Sequence, residues 1–127
     1  MREAIYLRLS KEDKQESIEN QRALLRKYAN DHGFSVVKEY TDEAISGLTD
    51  TRPGFAKMME DARQGHFDVI LAKNQSRFSR NFLHIEQYLH RELPHLNIRF
   101  IGVTDGVDTG KNNNIAVQKK KKKTRQI

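Results

Sequence analysis

The chain is expected to fold as a three-layer α/β domain, a central, mostly parallel sheet of four to five strands with helices on both faces. Three observations predict it. Stretches of strand-like and helix-like apolar spacing alternate along the chain in the order β-α-β-α-β-α-β. The stretch FDVILAK (67–73) is apolar nearly throughout, as a strand covered on both faces requires. A length of 127 residues is room for one domain with a core able to stand alone.

EAIYLRL (3–9) reads as the first strand. Ser17 is a natural N-cap for a helix running to about His32. Its apolar positions Ile18, Leu25, Tyr28 and Ala29 fall near helical spacing, and Gly33 is a natural stop. FSVVKEY (34–40) is the second strand, and residues 41–54 form a long connection containing Gly47 and Pro53. A second helix starts near Pro53, with Phe55, Met58, Met59 and Ala62 on its inner face, and ends at Gly65. After the third strand, a third helix is expected from about Arg80 to Glu92, with Phe82, Ile85 and Leu89 inward and Pro94 just beyond. IRFIGV (98–103) is the fourth strand.

The net charge of +6 is not a property of this core. Lys119 to Lys123 and Arg125 account for it, and the first 118 residues carry as many acidic as basic side chains. No apolar run reaches the roughly 18 residues of a membrane helix. The N-terminus shows no charged-then-apolar leader, and cysteine is absent. Disulfides, thiolate nucleophiles and Cys-based zinc sites are thereby excluded, and a cytoplasmic location is expected. The five histidines form no i, i+4 pair and no H-E-x-x-H, so neither metal nor cofactor is expected. Asp105 and Asp108 read as turn formers.

Side chains alternate along a strand, so Tyr6, Arg8 and Ser10 share one side, and Ile5, Leu7 and Leu9 the other. Open parallel sheets bind ligands beyond the carboxyl ends of their strands, which is where Ser10 and Arg8 fall. A polar strand end alone means little. The third strand, however, runs out into KNQSRFSRN (73–81), where Arg77 and Arg80 are three apart and fall on one face of a helix start, with Ser76 and Ser79 available as caps. Arginine is poorly placed at that electropositive end unless an anion sits between the two side chains. Arg52, in the connection after the second strand, adds a third arginine-bearing segment on the same edge. Guanidinium groups offer planar paired donors suited to phosphate oxygens, so the cluster fits a phosphodiester better than a carboxylate metabolite.

In order and at fitting spacing, YLRLS (6–10), SIENQ (17–21), YTDEAISG (40–47), RPG (52–54), SRFSRN (76–81) and RFIGVTDGVDT (99–109) resemble the catalytic domain of a serine recombinase of the resolvase and invertase type. The resemblance covers residues 3–109, and the last two stretches resemble the large serine recombinases of conjugative transposons and prophages. It implies a resolvase-like fold, Ser10 as nucleophile, and Arg8, Arg52, Arg77 and Arg80 around the scissile phosphate. Gln21, Asp42 and Ser76 match accessory positions, and Lys73-Asn74 stands where that branch usually has Lys-Asp. It further implies double-stranded DNA as substrate, a 5′-phosphoserine intermediate, and a dimer that pairs into a synaptic tetramer in the full-length protein. No metal or other cofactor is implied, because clustered guanidinium groups would stabilise the alkoxide and the phosphorane.

The similarity fades after Thr109. Residues 1–109 are read as the catalytic domain and 110–127 as a disordered Lys-rich tail of a shortened chain. Two rival readings stand beside the recombinase: an inactive fragment that keeps the fold, and a non-enzymatic anion-binding module of the receiver type. The second would need an acidic cluster after the first strand, where Arg8 and Ser10 stand.

Overall fold

A computed structural model of the chain describes residues 1–10, 13, 15–43 and 52–110. Four strands, β1 (Arg2–Leu9), β2 (Ser35–Glu43), β3 (Val69–Ala72) and β4 (Arg99–Gly102), form one sheet in the order β2-β1-β3-β4. Every pairing is parallel. The expected α/β class and parallel sheet are therefore observed, with four strands among the described residues. Apart from Gly110, the tail lies outside them, as do Ser46 and Gly47 of the long connection.

The strand order places a topological switch point between β1 and β3. The chain leaves β1 for β2 on one side, then crosses to β3 on the other. Beyond the carboxyl ends of those two strands their connections diverge and open a crevice, the usual ligand site of such sheets. β1 overruns its neighbour there. β3 pairs only with Glu3 to Ile5, whereas β2 follows β1 out to Arg8↔Asp42 and Leu9↔Glu43.

Alternation along β1 divides the core as its spacing predicts. Ala4 and Tyr6 face one layer, made by the inner faces of α2 (Pro53–Arg63) and the last helical segments, with Phe55, Met58, Phe78, Leu89 and Phe100. Ile5 and Leu7 face the other layer, against Leu25 and Ala29 of α1 (Ile18–Asp31). α1 begins on the Ser17 cap, whose hydroxyl accepts from the Asn20 amide at 3.0 Å. Gly33 and Gly65 stop α1 and α2 with φ of 74° and 77°, a region costly for side-chain-bearing residues.

The segment after β3 departs from expectation. Gln75–Phe78 is a single turn, α3, and the chain extends again at Ser79 (φ −167°). Phe82–His84 (α4), a π stretch Ile85–Glu92 and Leu93–His95 (α5) then run on as one continuous helix. Arg77 and Arg80 thus do not share a helix face, because the break at Ser79 separates them. The caps are asparagines rather than Ser76 and Ser79: Asn74 accepts from the Arg77 amide, and Asn81 from the amides of Leu83 and His84. The helix starts two residues after Arg80 and continues through Pro94. The wider π turn explains this: the Leu93 amide bonds back five residues to the Tyr88 carbonyl, so the ladder is already loosened where the proline ring enters. No helix among the described residues is long and apolar enough to cross a membrane.

Candidate active site

The switch-point crevice gathers the residues singled out from the sequence. Arg8, Arg52 and Arg80 line one cavity of about 310 Å³, together with Ser79, Asn81 and His84. Arg77 lies behind it, 7% exposed, and donates to the Arg8 carbonyl at 3.3 Å. Burial lowers the pKa of the Arg8 guanidinium, and the positive charges of Arg52, Arg80 and Arg77 push it the same way. Three connections therefore bring four like charges together in a partly buried space. That costs free energy unless an anion sits among them.

Arg8, Arg52 and Arg77 each donate to a backbone carbonyl. Arg8 Nη1 donates to the Ser76 carbonyl at 3.3 Å, and Arg52 Nη1 donates to the Phe78 carbonyl. The Arg52 guanidinium also lies 4.0 Å above the Phe55 ring, a cation–π contact that aims it toward the cavity. Gln21, fully buried on α1, pairs with the Arg8 backbone in both directions: its Nε2 donates to the Arg8 carbonyl at 2.8 Å, and its Oε1 accepts from the Arg8 amide at 3.2 Å. This clamps the overhanging end of β1.

Asp42 supports Arg52 from below. Its carboxylate accepts from the amides of Gly54 and Phe55, both at 2.8 Å, and from the Tyr6 hydroxyl at 2.7 Å. It thereby caps α2 where Arg52, the preceding residue, has no side-chain cap of its own. Burial raises the Tyr6 phenol's pKa, and the Asp42 hydrogen bond adds to that. The space for the cap depends on Gly54: a Cβ there would stand 2.7 Å from the Thr41 carbonyl oxygen. Ser76 contributes its carbonyl rather than its hydroxyl, which donates to Asn74.

Ser10 does not line the arginine cavity itself. Its hydroxyl donates to Asp13 Oδ2 at 2.8 Å, and the same oxygen accepts from Arg77 Nη1 at 2.5 Å. Ser10 thus reaches the cluster through one shared carboxylate oxygen. Sequence reasoning missed Asp13, which sits in the charged run KEDKQE and reads there as solvated surface. It also missed Glu16, the ion-pair partner of Lys73, and His84 on the cavity wall. Among the described residues no group of three acidic or histidine side chains is placed to hold a metal ion.

The chain is thus an α/β domain with a parallel sheet of order 2-1-3-4 and a cavity lined by three arginines at its switch point, a charge suited to an anion. The model of the resolvase N-terminal domain family matches residues 3–122, and this chain belongs to that family. Among solved structures, it is similar to the N-terminal catalytic domain of TP901-1 integrase, at 30% identity and TM-score 0.72, over 87% of this chain and 82% of that one. It is also similar to the C-terminal catalytic domain of ISC1926 TnpA, an IS607-like serine recombinase, at 29% identity and TM-score 0.69, over 84% and 72%. A resolvase family site-specific recombinase from Streptococcus pneumoniae shares the fold over 99% of this chain and 97% of its own, at TM-score 0.76 and 24% identity. No curated protein matches the chain by sequence.

Proposed function

We propose that this domain is the catalytic unit of a site-specific DNA recombinase that moves a mobile element by integration or excision. The Ser10 oxygen attacks a DNA phosphodiester. The Oγ–P bond forms as the P–O3′ bond breaks, leaving the 5′ end on Ser10 and a free 3′-hydroxyl. The hydroxyl proton passes from Ser10 to solvent, and the departing 3′ oxygen takes one from solvent. The ester bond is kept in the phosphoserine, so the reverse attack reseals a recombined strand without a nucleotide cofactor. Arg8, Arg52, Arg77 and Arg80 hold the phosphate and stabilise charge that grows on its oxygens in the transition state. Strand exchange requires a dimer and a tetramer of the longer protein, on double-stranded DNA.

This reading is supported by the convergence of Arg52, Arg77 and Arg80 on the Arg8 guanidinium, near the end of the strand that Ser10 follows. A metabolite carboxylate calls for one guanidinium, whereas a phosphodiester passing through a pentacovalent state calls for several.

The test is covalent trapping. A longer version carrying the DNA-binding regions is incubated with nicked cognate DNA, quenched in denaturant and resolved by gel. A protein–DNA adduct that vanishes in Ser10→Ala supports the proposal. An adduct that persists in Ser10→Ala overturns it. An adduct formed by the longer protein but not by this 127-residue chain identifies the chain as an inactive fragment of the same enzyme.

A further inference from the structure

The resting partner of Arg77 bears on how Ser10 is kept ready. The Asp13 amide donates to the Ser10 carbonyl at 3.1 Å. Asp13 Oδ2 then takes three donors: the Ser10 amide at 2.7 Å, the Ser10 hydroxyl at 2.8 Å and Arg77 Nη1 at 2.5 Å. Arg77 is buried and Asp13 nearly so, with side chains 8% and 11% exposed. Arg77 Nε is also buried and has no hydrogen-bond partner among the described residues. A guanidinium with an unused donor, facing one anionic oxygen that simultaneously holds the nucleophile, is only half engaged.

A phosphodiester oxygen has the same chemistry as Asp13 Oδ2, a singly charged acceptor for a guanidinium, and a phosphate offers a second oxygen for the vacant Nε. We propose that Asp13 is a positioning residue that stands in for the substrate phosphate, holding Arg77 and the Ser10 hydroxyl together until a DNA phosphate displaces it from Arg77. The Arg77 hydrogen bond is the largest influence holding the Asp13 carboxyl below the ordinary carboxylate range, with the Ser10 amide and hydroxyl adding to it, so the ion pair is well formed in the absence of substrate. Displacement frees the Asp13 carboxylate from Arg77 while leaving it beside Ser10, and turns Arg77 toward the atom under attack. This inference rests on the recombinase reading for its purpose, but not for its test.

The test titrates inorganic phosphate into the 127-residue chain at low ionic strength, followed by calorimetry and by NMR. Asp13→Asn keeps an acceptor for Ser10 and removes the competing charge, so phosphate affinity is expected to rise on the order of tenfold. The gain is expected to disappear in Asp13→Asn with Arg77→Gln. In the wild-type chain, which needs no variant to fold, added phosphate is expected to shift the Arg77 Nε–H and Ser10 amide resonances together. Phosphate affinity unchanged or weaker in a folded Asp13→Asn chain overturns the inference, as does a wild-type titration that moves neither resonance. In the longer protein, Asp13→Asn is expected to lower the DNA concentration needed for half-maximal adduct while slowing adduct formation at saturation, a split that general loosening of the site does not produce. If the wild-type protein forms no adduct, the recombinase reading fails, and the phosphate titration still decides the role of Asp13.

Discussion

Removing the Asp42 carboxylate measures how far the site depends on its support. Asp42 is 6% exposed and accepts three hydrogen bonds, from the Tyr6 hydroxyl and the first two amides of α2 after Pro53. In Asp42→Ala the Tyr6 hydroxyl and the Phe55 amide stay buried without an acceptor, at about 1.5 kcal/mol each. The Gly54 amide is partly accessible and regains water, so about 0.5 kcal/mol is assigned to it, and losing a negative charge at the helix N-terminus costs about 0.5 kcal/mol more. The expected loss is about 4 kcal/mol, or about 15 °C in Tm for a domain of this size. The assay is urea unfolding followed by circular dichroism, checked for an unchanged slope so that the difference belongs to the folded state. Tyr6→Phe alone is expected to cost about 1 kcal/mol. Combined with Asp42→Ala it removes the orphaned hydroxyl, so the double variant is expected to be about 1–2 kcal/mol more stable than additivity allows. A loss under about 1 kcal/mol for Asp42→Ala, or strict additivity in the pair, would refute the idea that this carboxylate knits β1, β2 and α2 together beneath Arg52.

Three further outcomes are expected. Glu3 is fully buried on β1 with both carboxylate oxygens unpartnered among the described residues, and burial raises its pKa from 4.5 to about 7. The folded state therefore holds this proton more tightly than the unfolded state. Its contribution is complete below about pH 4.5, is lost as pH rises through 7, and amounts to about 3 kcal/mol; Glu3→Gln melts compared at pH 4.5 and 7.5 should lose that slope. Gly54→Ala is expected to destabilise by about 2 kcal/mol, because its Cβ meets the Thr41 carbonyl at 2.7 Å and must push the α2 start off Asp42; urea midpoints check it. Sulfate at millimolar concentration is expected to raise Tm in the wild type but not when Arg8 and Arg80 are both glutamine, since only the first lines the crevice with the guanidinium groups of Arg8, Arg52 and Arg80; equal shifts in both would place the anion elsewhere.

The parts of this molecule legible in the sequence are those set by period. β1, α1 and α2 declare themselves through alternation or helical spacing, and the division of Tyr6 from Ile5 and Leu7 follows from strand geometry alone. The convergence of Arg8, Arg52 and Arg80 is legible too, because parallel connectivity sends every strand's exit to the same edge. Less legible is the segment after β3. Ser79 breaks a run whose spacing suits an unbroken helix, since Asn74 and Asn81 each cap a separate turn, and cap choice depends on tertiary fit among several polar candidates. The π stretch leaves no periodic mark either, and the proline that should end the helix is absorbed by it. Asp13 is hidden for an electrostatic reason. In a run of five charged residues among six, nothing local distinguishes the carboxylate that pairs with Arg77, 64 positions away.

The proposed site is a matter of geometry: one phosphate is to be held by four guanidinium groups within reach of one hydroxyl. Crystals of the domain grown with orthophosphate test it directly. Density for the anion is expected between Arg8, Arg52, Arg77 and Arg80, with Asp13 turned away from Arg77 and Ser10 Oγ roughly 3–3.5 Å from the phosphorus, the distance of a near-attack arrangement. Phosphate bound on another face, or held by the arginines with Ser10 directed away from it and still tied to Asp13 and Arg77, would contradict the claim.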